Sequence, residues 1–139
     1  MVRILLALAV GAGVGRVALA HDRENAEAVK VLSARDVKEN LDGKDAKATT
    51  VKLALEPGQA GTSHRHPGPV IGYVLEGEYE LGLDDQPTKV LKAGETFYEA
   101  TGCLHRVSKN PAAKGNTRVL VVVQHPRDAR QITIPEPKK

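Results

Sequence analysis

After residue 48, turn-forming residues interrupt this chain so often that no helix of ordinary length fits between them. Pro57-Gly58, Gly77, Asp84 to Pro87, Ala93-Gly94, Thr101-Gly102 and the loop from Asn110 to Asn116 cut it into short runs, and those runs have a two-residue period. Thr49, Val51, Leu53 and Leu55 alternate with Thr50, Lys52, Ala54 and Glu56, which gives one apolar face. Tyr79, Leu81 and Leu83 repeat the pattern against Glu78, Glu80 and Gly82. The run Val70 to Leu75 is apolar on both faces and suits an interior strand, while Thr117 to Gln124 is the most β-branched stretch and reads as central. Thr88 to Leu91, Thr96 to Glu99, His105 to Ser108 and Gln131 to Ile134 complete the series, with Val29 to Leu32 as a first, edge-type strand. Roughly eight to ten antiparallel strands predict an all-β sandwich or barrel, which also disposes of exposed sheet edges.

With 139 residues the chain is one domain's worth. The aromatic fraction is 3%, so most of the core must be Val, Leu, Ile and Ala, and the same scarcity argues against stacking platforms for bases or sugars. Residues 1–20 read as a secretory signal: Arg3 opens it, Ile4 to Gly15 is uncharged and too short to span a bilayer, and Ala18-Leu19-Ala20 supplies the small-x-small cleavage site. Arg16 departs from that pattern, which leaves an uncleaved anchor as the alternative. Cleavage would make His21 the first residue of an exported, periplasmic or secreted protein with no further membrane attachment. It would also remove Arg3 and Arg16, leaving 18 basic residues against 17 acidic ones. That balance gives no reason to expect a nucleic-acid partner. Residues 21–45 read as an N-terminal arm, 46–134 as the β-barrel and 135–139 as a frayed tail. The lone Cys103 cannot form an internal disulfide, so the exported domain must be stable without one.

Chemistry concentrates in Ser63-His64-Arg65-His66-Pro67-Gly68. On an extended segment His64 and His66 share a face, so both imidazoles can grip one ion while Arg65 points away. A third ligand must come from elsewhere. His105, in a second strand-like run behind a glycine turn, is the candidate; His125 before Pro126 reads as an ordinary strand exit. Glycines 58, 77, 94 and 102 read as turn residues needing positive φ.

These residues resemble a family. Gly58, five residues, His64-x-His66 and Gly77, then Gly94, Gly102, two residues and His105 with an Asn close behind, are similar to the two-part signature of the cupins. Tyr73-Val-Leu-Glu-Gly-Glu78 is typical of the small one-domain members. The resemblance runs from about Val51 to Gln124 and implies an antiparallel jelly-roll (cupin) β-barrel. It also implies a divalent transition metal in the barrel mouth (Fe, Mn, Zn, Ni or Cu), held by His64, His66 and His105. A small-molecule ligand and pairing into a homodimer through outer strands follow from the same likeness. Three positions depart from the pattern. The usual Glu seven residues before the closing glycine is Val70, the usual Pro is Ala100, and the expected Asn is displaced to Asn110 and reads as a loop residue. Three neutral imidazoles would leave the full charge of a divalent ion uncompensated and favour an anionic ligand.

Glu99, six residues before His105, is the one carboxylate offered in place of the missing Glu, as a base or weak ligand beside the ion. Glu76 and Glu95 sit at turns and read as solvated. Cys103 shares the parity of His105, which would aim its thiol toward the same cavity, although a half-buried turn residue is the plainer reading. Tyr73 and Tyr98 could line the pocket, but with so few aromatics core and rim packing is the plainer reading. Two functions stay open: oxygen-dependent or Lewis-acid chemistry on a small molecule, or non-catalytic binding or sensing in the same cavity.

Overall fold

The computed structural model describes residues 28–41 and 43–137. The segment read as a signal peptide, residues 1–20, and His21 lie outside them. The described residues form ten strands: β1 (Ala28–Leu41), β2 (Lys44–Leu55), β3 (His64–Arg65), β4 (Val70–Glu76), β5 (Glu78–Leu83), β6 (Lys89–Lys92), β7 (Thr96–Glu99), β8 (His105–Lys109), β9 (Thr117–Pro126) and β10 (Ile134–Pro135). They make two five-stranded antiparallel sheets, ordered β1-β2-β9-β4-β7 and β10-β3-β8-β5-β6. The all-β jelly roll expected from the sequence is present, as two facing sheets rather than one ring of hydrogen-bonded strands. Among the described residues the sheets are unpaired at both flanks, β1 with β10 and β6 with β7, and at the second a cavity of about 480 Å³ is lined by Leu83, Leu91, Phe97 and Cys103 among others.

The period-2 pattern decides the core. Val51, Leu53 and Leu55 of β2, Val70 and Val74 of β4, Tyr79 and Leu81 of β5 and Val119, Val121 and Val123 of β9 all turn into the space between the sheets. Burying an aliphatic side chain of this size contributes about 1.5–3 kcal/mol. β9 is central, paired on both sides by β2 and β4, as its β-branched composition requires. β4 is interior to its sheet, yet its second face is open: Ile71, Tyr73 and Leu75 are 42–51% exposed. An apolar run therefore meant centrality within the sheet and not cover on both faces.

β1 is longer than the Val29 to Leu32 strand read from the sequence and forms the edge of its sheet, with irregular register after Val31 and Val37. Val29 and Val31 lie opposite the buried Leu53 and Val51 but stay exposed, since among the described residues only the two-residue β10 stands at that flank of the facing sheet.

Glycines 58, 77, 94 and 102 all adopt positive φ, as their turn positions predicted. At Gly77 space matters as well, because a Cβ would stand 2.5 Å from the Asn116 carbonyl. Asn110 is the loop residue the sequence suggested, just past β8, but it is a fully buried bracket. Its Nδ2 donates to the Leu55 and Gly115 carbonyls at 3.3 and 2.9 Å, and its Oδ1 accepts from the Ala112 amide at 3.0 Å. A buried amide with its donors and acceptor satisfied fixes the β8–β9 connection.

Candidate metal centre

Register creates the centre. His64 of β3 is the direct cross-strand partner of His105 of β8, which brings two residues 41 positions apart in sequence side by side. His66, just past β3, completes the group. One ring nitrogen from each of the three histidines lies within 4.8 Å of the others, and all three side chains are buried. The loop is pinned from outside. Arg65 points to the opposite face, where its guanidinium donates to the Glu136 carboxylate at 3.0 and 3.3 Å and to the Gly102 carbonyl at 2.8 Å. The Gly102 amide donates to the His66 carbonyl at 3.0 Å, so the two histidine-bearing segments are tied backbone to backbone.

The ring orientations are set by second partners. His64 Nδ1 donates to the Thr62 carbonyl at 2.7 Å and His66 Nδ1 to the Ile132 carbonyl at 2.6 Å. Each ring then presents an unprotonated Nε2 inward, the form a metal requires. The two Nε2 atoms are 3.1 Å apart. Donors about 2.1 Å from one ion stand roughly 3.0 to 3.4 Å from each other, so this spacing suits a shared cation. His105 has Nε2 at 3.3 Å from the Tyr79 hydroxyl, which itself donates to Ser108 Oγ at 2.9 Å.

Glu99 closes the site. It is 2% exposed, with Oε1 3.3 Å from His105 Nδ1 and Oε2 3.9 Å from His66 Nε2. Burial pushes its carboxyl up to about 7. Burial, with repulsion from the neighbouring imidazoles, holds His105 down at about 3. Burial is also the main cause that takes His66 to about 4, partly offset by the Ile132 carbonyl. Both imidazoles are therefore neutral at neutral pH, and their contacts with Glu99 are not ion pairs. Glu99 Oε2 and His105 Nδ1 are buried polar atoms with no hydrogen-bond partner. A cation bound among these side chains would satisfy both, so the donor set fits a divalent transition metal.

The remaining expectations separate. The cavity over the histidines has a volume of about 60 Å³ and is walled by Val51, Leu53, Phe97, Val121 and Ile132, with Val29 at its edge. Tyr73 and Tyr98 are 42% and 62% exposed and do not line it; the aromatic residues that do are Tyr79 and Phe97, stacked at 5.5 Å. Cys103 is half-buried and lines the other cavity, because the turn at Thr101-Gly102 breaks the parity that would have carried it inward. His125 is satisfied by Thr49 Oγ1 at 2.9 Å and the Pro126 carbonyl at 2.8 Å, a structural role. Sequence reasoning did not find Ser108. It faces inward because the β5–β8 register slips between Gly82 and Leu83, an irregularity that a period-2 reading cannot foresee.

Fold and centre together define a small jelly roll with a buried three-histidine cluster between its sheets. The chain belongs to the cupins: the cupin domain family matches residues 51–123, over half the chain. Among solved structures, a Klebsiella pneumoniae protein with a double-stranded β-helix domain is 21% identical, with a TM-score of 0.59 over 85% of this chain and 90% of its own. A cupin superfamily protein from Desulfitobacterium hafniense is 17% identical, with a TM-score of 0.55 over 76% of this chain and 84% of its own. An oxalate oxidase in complex with the substrate analogue glycolate is 26% identical, with a TM-score of 0.57 over 76% of this chain. The chain spans only 53% of that enzyme's length. Comparison with curated proteins gives no significant match.

Proposed function

We propose that this cupin is an exported protein that holds one divalent transition metal on His64, His66 and His105 and carries out oxygen-dependent or Lewis-acid chemistry on a small molecule. The observation that carries the reading is the convergence of the three inward-facing rings, two of them held in the metal-binding tautomer by backbone carbonyls. A bound ion would supply Lewis acidity and an open coordination position. The chain's own residues do the rest. The Thr62 and Ile132 carbonyls keep the His64 and His66 rings oriented, the apolar wall excludes bulk water, and the Tyr79–Ser108 hydroxyl pair steadies His105.

The cavity sets the size of the ligand. About 60 Å³ has room for an ion and roughly three or four further heavy atoms. Among the described residues no Lys or Arg lines it, so a carboxylate ligand would find its positive partner in the ion. A small carboxylate is consistent with the glycolate complex of the oxalate oxidase. Purified protein is expected to contain near-stoichiometric metal by elemental analysis and to lose it in the His64→Ala/His66→Ala double variant. Absence of metal after aerobic and anaerobic reconstitution would end the reading. Oxygen-uptake screening with small carboxylates separates turnover from the alternative, a binding or sensing module using the same cavity. Mass spectrometry of the exported chain tests whether it starts at His21.

A further inference from the structure

We propose that Glu99 is the fourth ligand of the centre, delivering from β7 the carboxylate that the family signature would place at residue 70. This rests on the metal reading above. Val70 and Glu99 are direct register partners across β4 and β7 and both face inward, fully buried. Opposed residues of an antiparallel pair have Cβ atoms about 4.5–5.5 Å apart. A glutamate side chain spans that offset, so a carboxylate moved one strand over reaches the same point in the cavity.

Three further observations point the same way. Glu99 Oε2 has no hydrogen-bond partner, although the side chain is 2% exposed, and desolvating an unsatisfied carboxylate is costly without a cation. Its Oε1 stands 3.3 Å from His105 Nδ1, within the separation of ligands around one ion, while Oε2, 3.9 Å from His66 Nε2, lies about half an ångström beyond it and would close in on a bound ion. Thirdly, Glu99 Oε1 and His105 Nδ1 make no hydrogen bond at 3.3 Å. The two atoms are close without sharing a proton, whereas a carboxylate that merely oriented the ring would accept its N–H. With Glu99 included, three neutral imidazoles and one carboxylate leave a divalent ion with a single net charge, and Val70 ceases to be a defect of the site.

The test is cobalt(II) titration of the full chain and of three variants: Glu99→Gln, Val70→Glu/Glu99→Val and His64→Ala/His66→Ala. Affinity is read by chelator competition and the ligand set by the visible absorption of the bound ion. Glu99→Gln is expected to weaken binding about 10–100-fold or more and to change the absorption bands. Returning the carboxylate to residue 70 is expected to recover most of the affinity. The Glu99→Gln spectrum decides even if the double replacement fails to fold. Unchanged bands in Glu99→Gln, with affinity kept or merely lowered, overturn the proposal. If the histidine double variant meanwhile loses the ion, the three-histidine reading survives that result. A wild-type chain that binds no cobalt, zinc, iron or manganese overturns both.

Discussion

Replacing Glu99 by Gln should stabilise the metal-free protein, and by an amount that depends on pH in a calculable way. In the folded chain burial raises the Glu99 carboxyl from 4.5 to about 7. Between those values the folded state binds more protons at this site than the unfolded state, so stability falls as pH rises through the interval. A displacement of roughly 2.5 units at about 1.36 kcal/mol each amounts to about 3 kcal/mol, fully expressed above pH ~7 and absent below pH ~4.5. Gln cannot ionise, so the stability of Glu99→Gln relative to wild type should climb by about 3 kcal/mol from pH ~4 to pH ~8. Any constant offset from desolvating the amide appears equally at every pH and cancels in the slope. The assay is urea denaturation in the presence of a chelator at a series of pH values, with the difference between the two proteins plotted against pH. A flat difference, within about 0.5 kcal/mol, would refute the claim that burial alone holds this carboxyl up. Saturating zinc should reverse the order, because the ion then stabilises the wild type more than the variant.

Four other outcomes follow from the same geometry. With metal at 100 times its dissociation constant, wild-type protein should gain about 2.7 kcal/mol of stability, and His64→Ala/His66→Ala should gain none in a thermal-shift assay. Metal-free wild type should lose stability below pH ~6.5, because the unfolded chain binds two protons that His66 and His105, held at about 4 and 3, refuse, and the one proton Glu99 takes up on folding offsets only part of this down to pH ~4.5. Acid titration followed by circular dichroism checks this, and the loss should be steeper in Glu99→Gln. Gly72→Ala would put a Cβ 2.0 Å from the Phe97 ring, and the overpacking should cost about 1–3 kcal/mol in denaturant and disturb the cavity wall. Asn110→Ala removes a bracket that serves two carbonyls and one amide and should cost about 2–4 kcal/mol by the same measurement.

Much of the centre could be read before any coordinates. The x-spacing of His64 and His66 follows from strand parity, and the choice of His105 over His125 followed from the glycine turn ahead of it. Glu99 was visible as a residue and invisible as a neighbour of Val70, because pairing across β4 and β7 depends on which strands the sheet brings together. Tyr79 was legible as an inward residue, while its position beneath His105 needed the β5–β8 pairing. Tyr73 and Tyr98 misled because aromatic character says nothing about which face of a sheet is covered. Cys103 followed the plainer reading of a half-buried turn residue, because the parity of β8 does not carry through the turn ahead of it.

Local sequence determined this protein's alternation, its turns and the positive-φ glycines at them, since these depend on sterics and hydration within a few residues. Tertiary structure alone decided which strands became neighbours. Long-range register therefore set the meeting of residues 64 and 105, the placing of a carboxylate opposite residue 70 and the inward turn of Ser108, and only the folded sheets specify that register.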